Sequence, residues 1–165
     1  MKKTFYLIFV FILISILQFF FGNYLSLWGG YPNFILIAIV YLGITRGRLD
    51  AAIAGFLFGI VWDVFSTDVF GMRMLLFSTT GYFIGVLSKT IDTDQPYSQT
   101  IIMVFASIIY FLGISVILFL FSDGRETLLQ AIFNWKNFIC FFATVIVAIP
   151  ALLFLKIINR YLKER

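Results

Sequence analysis

Histidine is absent from this 165-residue chain, and cysteine occurs once, at Cys140. The first absence removes the commonest general base and the commonest transition-metal ligand together. The second excludes an internal disulfide. Cys140 lies in the apolar run FICFFATVIVAIP, where a lone thiol behaves as a small hydrophobe. Charge is scarce as well: Asp, Glu, Lys and Arg make up 12% of residues, against roughly 25% in a soluble domain. So few charges cannot cover a globular surface, and no polar stretch is long enough for a soluble catalytic domain. What the chain has instead is apolar mass, 62% hydrophobic residues with a mean hydropathy of +1.04. The class is an all-α, polytopic membrane helix bundle. The net charge of +4 does not point to nucleic acid, because the basic residues fall at helix ends, where they orient spans and meet anionic lipid.

Length and turn signals divide the chain into six predicted spans. After Lys2 and Lys3 come 17 apolar residues with no Ala-x-Ala-like cleavage site, so this segment reads as a retained first span over 4–21. No Asp, Glu, Lys or Arg occurs between Thr4 and Thr45, a stretch too long for one crossing of a ~30 Å hydrocarbon core. The cluster GNYLSLWGGYPN splits it, and the second span covers 32–45 with Pro32 expected in the first helical turn. The third covers 49–65, the fourth 69–89 after the turn STDVFG, and the fifth 100–121. The sixth covers 137–159, where Pro150 is expected to kink it. The whole of 1–165 is thus one transmembrane domain. Of the two longer polar segments, 122–136 has Leu128, Leu129, Ile132 and Phe133 spaced for one helical face. It fits a short interfacial helix or a partly ordered loop equally well.

The charges orient these spans. With both termini cytoplasmic, Lys2, Lys3, Arg46, Arg48, Lys89, Lys156, Arg160, Lys163 and Arg165 lie inside. Only Arg73, Arg125 and Lys136 lie outside, a clear positive-inside bias. Trp28, Trp62 and Trp135 then all fall near the outer interface, as aromatic belts require.

The third span carries Gly47, Ala51, Gly55, Gly59 and Asp63, a small residue at every fourth position and then an acid. Four residues advance a helix by about 400°, so these positions form one slowly rotating stripe. Such a stripe lets another backbone approach closely, either within the bundle or at a partner. Gly81 and Gly85 repeat the spacing in the fourth span, and the short turn makes the two spans antiparallel neighbours. Asp63, Asp68 and Arg73 are the charges around the outer end of this hairpin. Asp63 follows Trp62, which places it at interface depth, where its carboxylate reaches water, the turn amides or Arg73. Asp63 and Asp68 form a carboxylate pair without an accompanying base. Asp92 and Asp94 read as a solvated loop, and no phosphate loop or metal cluster is present. No catalytic residues, cofactor or metal are expected.

Several of these elements recur in one order in a known family. Pro32 and Asn33 open a short apolar span, and Arg46 and Gly47 make a cytoplasmic turn. Gly55, Phe56, Gly59 and Asp63 spell Gly-Phe-x-x-Gly-x-x-x-Asp, and Gly71 is followed by Gly81, Tyr82 and Gly85. The segment 31–87 resembles the rod shape-determining MreD family of bacterial membrane proteins, and departs from it at Arg73, where an uncharged residue is expected. The resemblance implies a non-enzymatic scaffold of the cell-elongation complex in the cytoplasmic membrane, supporting rod shape and peptidoglycan synthesis. It implies direct binding of MreC and, through the complex, contact with MreB, RodA and a penicillin-binding protein. A homodimer is left open. The fold it implies resembles the six-helix substrate-binding subunits of energy-coupling-factor transporters, so a vitamin-type transporter subunit is the alternative. That reading needs convergent polar groups at depth, for which Ser78, Thr79, Thr80, Tyr82, Ser107 and Tyr110 are the candidates.

Overall fold

A computed structural model of the chain describes residues 18, 30–66, 69–93, 95–121, 130, 132 and 135–163. The predicted first span, Gln18 apart, and most of segment 122–136 lie outside the described residues, as do Asp68 and Asp94. The rest forms five helices and no strand: α1 (Phe34–Arg46), α2 (Arg48–Phe65), α3 (Met72–Leu87), α4 (Pro96–Phe121) and α5 (Trp135–Lys163).

Helix boundaries follow local capping chemistry, and several differ from the sequence expectation for that reason. α1 starts at Phe34, because the Asn33 side chain accepts from the Leu36 amide at 3.0 Å and so acts as the N-cap. Pro32 therefore precedes the helix instead of opening it. Gly47 breaks α1 from α2 at φ 94°, and Gly71 precedes α3 at φ 90°, a region glycine enters without steric cost. The Gly71 turn delays α3 to Met72, beyond the expected start at 69. α4 starts at Pro96, ahead of the expected 100, since proline is pre-set for a first helical position. α5 runs from Trp135 to Lys163 as one helix with Pro150 inside it.

Among the described residues two segments are long and apolar enough to cross a membrane, Tyr97–Phe121 and Trp135–Leu153. α1 has 13 residues and α3 has 16, which at 1.5 Å per residue is ~20 and ~24 Å. α2 has 18 residues but carries Arg48, Asp50 and Asp63. The three helices fall short of an unaided span for these separate reasons.

α1 is the centre of the described bundle. Ile35, Leu36, Ile37, Ala38, Ile39 and Val40 are all buried, as expected of a helix that is apolar on every side. α2 and α3 pack against it and, most extensively, against each other. α4 packs on α3 through a parallel stack of the Phe77 and Tyr110 rings, 4.8 Å between centroids. α5 closes on α4 through the edge-to-face pair Phe111 and Phe141. The α1 start, the α2 end, the α3 start, the Tyr110 half of α4 and the α5 start therefore share one end of the bundle.

Thr80 on α3 and Ser107 on α4 each lie three residues from the stacked Phe77 and Tyr110 rings. Both side chains are fully buried, and neither hydroxyl has a hydrogen-bond partner. An unpaired buried hydroxyl costs ~1–3 kcal/mol, so replacing Thr80 with valine is expected to stabilise the protein. Thermal unfolding in detergent should show a higher midpoint for Thr80→Val; a lower one would mean the hydroxyl is bonded.

Candidate functional site

The glycine stripe is a packing seam inside the hairpin. Ala51, Gly55, Gly59 and Asp63 are buried along one face of α2, and Gly81 and Gly85 are buried on α3. A Cβ added at Gly81 would stand 2.6 Å from the Ala51 carbonyl oxygen, and one at Gly55 2.8 Å from the Ser78 nitrogen. At Gly59 it would collide with the Met74 backbone, and at Gly85 with the Arg48 backbone. The α3 glycines thus hold the half of the seam near the α2 start and the α2 glycines the half near the α3 start, each meeting the other helix's main chain. Side-chain adjustment cannot relieve such overlaps. Ser88 extends the contact to α1, its hydroxyl donating to the Gly43 carbonyl at 3.0 Å.

Asp63 ends the stripe and starts the next helix. Its carboxylate accepts from the Arg73 amide at 3.3 Å and from the Met74 amide at 3.1 Å, two of the donors that an α-helix leaves unsatisfied at its start. The Arg73 guanidinium lies 3.7 Å away, donates to the Ser66 hydroxyl and sits 5.7 Å above the Trp62 ring. Asp63 is only 3% exposed, so of the partners the sequence offered it, the turn amides and Arg73 solvate the carboxylate and water does not. Anionic charge at a helix start is stabilising, and Arg73 supplies the counter-charge.

A second buried polar group anchors the α1 start. The Gln18 amide donates to the Pro32 carbonyl at 3.2 Å and accepts from the Phe34 amide at 2.6 Å. The Asn33 amide donates to the Thr144 hydroxyl at 3.0 Å, which itself donates to the Cys140 carbonyl at 2.6 Å. Gly30 packs on Ile139 and the Cys140 nitrogen, so α5 reads the Pro32–Asn33 entry closely. Gln18 and Thr144 carried no sequence signal, being uncharged polar residues inside apolar runs.

The remaining motif residues face outwards. Phe56 is 44% exposed and Tyr82 is 41% exposed, with the Arg48 guanidinium 5.8 Å from the Tyr82 ring. Of the polar residues a transporter reading needs, Thr80 and Ser107 are buried, and three others are placed differently. Thr79 is exposed and back-bonded to the Leu75 carbonyl, Tyr82 is exposed, and Tyr110 is stacked in the core. Among the described residues no three of His, Cys, Asp and Glu gather as a metal site.

The family description "rod shape-determining protein MreD" matches residues 1–158 of the chain. The chain belongs to the MreD family. Neither a curated protein nor a solved structure matched it. As an MreD-family member it is a cell-shape-related membrane protein. The seam, the Asp63 cap and the Asn33 anchor are how this MreD-family chain holds its own helices together.

Proposed function

We propose that the chain is a non-enzymatic scaffold of the cell-elongation complex, docking MreC and through it linking MreB to RodA and a penicillin-binding protein. The observation that carries this reading is the family match over residues 1–158. The geometry adds a reason to look for docking: the motif glycines and Asp63 are occupied within the chain, while Phe56 and Tyr82 remain exposed. In this reading residues 1–165 form one six-span domain in the bacterial cytoplasmic membrane, with both termini cytoplasmic and a fold like that of energy-coupling-factor substrate-binding subunits.

Tyrosine and other aromatic residues dominate interface energetics, so Phe56 and Tyr82 are the contacts assigned to MreC. The double variant Phe56→Ala/Tyr82→Ala is expected to purify as a folded protein with an unchanged melting midpoint. Its affinity for MreC, measured by co-purification in mild detergent and titration, is expected to fall at least ~10-fold, or ~1.4 kcal/mol. Undiminished binding would move the docking surface elsewhere. The transporter alternative predicts instead that a small vitamin raises the melting midpoint of the purified chain, and the scaffold reading predicts that none does.

A further inference from the structure

Between the first turns of α4 and the middle of α5 lies a crevice of about 140 Å³, lined by Tyr97, Gln99, Thr100, Ile149, Leu152 and Leu153. Its lining is graded. The three polar residues come from α4 and the three aliphatic ones from α5, so a molecule that fits both sides is amphiphilic. The volume is close to the ~150 Å³ apolar cavity that takes up a benzene-sized guest. It admits a short run of methylenes and leaves the rest of a chain outside.

The polar side is built. Gln99 is 8% exposed and its amide nitrogen donates to the Thr93 carbonyl at 2.8 Å, which fixes the side chain. The first turn of α4 holds no acidic residue, and its amides present the positive end of the helix dipole. Charge at this end of the bundle favours an anion. Arg46 closes α1, Arg48 opens α2 and Lys89 follows α3. Lys156 follows Leu152 by four residues on α5, one helical turn. Asp50 and Asp92 share the end, but Arg160 and Lys163 in the last turns of α5 leave a positive surplus there.

We propose that this crevice binds one anionic phospholipid of the leaflet facing this end. Its acyl chain lies against Ile149, Leu152 and Leu153, and its glycerol-phosphate lies at the α4 start beside Tyr97 and Thr100. The proposal rests on the chain being a membrane protein and is independent of MreC docking, which the test does not involve.

The experiment uses the purified full chain, stripped of lipid in detergent and titrated with phosphatidylglycerol or phosphatidylcholine. Thermal unfolding gives the stabilisation, and native mass spectrometry gives the number of lipids retained. One phosphatidylglycerol is expected to be retained, raising the melting midpoint saturably and at lower concentration than phosphatidylcholine. Leu153→Trp fills the apolar side at a residue that is 42% exposed, so the lipid-free midpoint is expected to hold. Half-saturation by phosphatidylglycerol is expected to rise about 10-fold. Thr100→Val leaves the apolar side intact and is expected to narrow the preference for phosphatidylglycerol over phosphatidylcholine. Equal, non-saturating stabilisation by the two lipids would overturn the proposal by marking annular lipid only. So would unchanged half-saturation in both variants.

Discussion

Leucine in place of Gly59 is expected to abolish the α2–α3 hairpin. The first atom of any side chain at this position already overlaps the Met74 backbone, and it stands 2.9 Å from the Arg73 carbonyl carbon. Overpacking relieved by rotamer changes costs ~1–3 kcal/mol. Here both opposing surfaces are main chain, so the helices must separate and the cost exceeds that range. Gly59→Leu should therefore express poorly and lose its cooperative melting transition in detergent, and Gly59→Ala should be impaired in the same direction. Gly113→Ala is the control within the same bundle, because the atoms its Cβ would meet first belong to the Leu76 side chain and not to main chain. Normal expression and melting of Gly59→Leu would contradict the packing seam.

Removing the Asp63 carboxylate is expected to have the second largest effect. Asp63→Ala deletes the acceptor for two backbone amides and the counter-charge of Arg73 in one step. Breaking a buried ion pair from one side costs ~3–5 kcal/mol, largely because the surviving charge is left uncompensated. Asp63→Asn keeps an amide oxygen for one backbone donor but loses the charge, so it should fall between wild type and alanine. Adding Arg73→Leu to Asp63→Ala should recover part of the loss, since removing both charges is far less costly than removing one. Melting midpoints of the three variants and wild type measure this ordering. Equal midpoints for Asp63→Ala with and without Arg73→Leu would show that the guanidinium does not matter.

The hairpin was legible in the sequence because its signal is local. Small residues at a period of four mark one helix face, and a second pair of glycines after a short turn supplies the opposing face. The destination of the stripe was the open question, and the structure answers it with backbone contacts inside the chain. Asp63 was placed at the right end of the helix with the turn amides and Arg73 among its partners, but its burial was not legible. Sequence alone cannot distinguish a carboxylate in interfacial water from one enclosed by two amides and a guanidinium. The boundary shifts have similar local causes: an asparagine cap displaced Pro32 from α1, and a left-handed glycine delayed α3. The Gln18–Asn33–Thr144 anchor was illegible for a different reason. Asn33 and Thr144 are 111 residues apart, and neither side chain repeats with any period. Thr80 and Ser107 are enclosed by tertiary packing, which no local pattern in the sequence announces.

The three packing devices serve one end. The glycine seam, the Asp63 cap and the Asn33 anchor fix the short helices α1, α2 and α3, none of which is long and apolar enough to span alone. A rigid bundle with exposed aromatic residues is suited to holding a partner in place and needs no reactive group to do so. The measurement that tests this account most directly is depletion of the chain in a rod-shaped host, with cell shape and MreC localisation followed together by microscopy. The account predicts that cells become round and that MreC disperses along the membrane, with wild-type chain restoring both and Gly59→Leu restoring neither. Rods of normal shape with MreC in its usual position after complete depletion would contradict it.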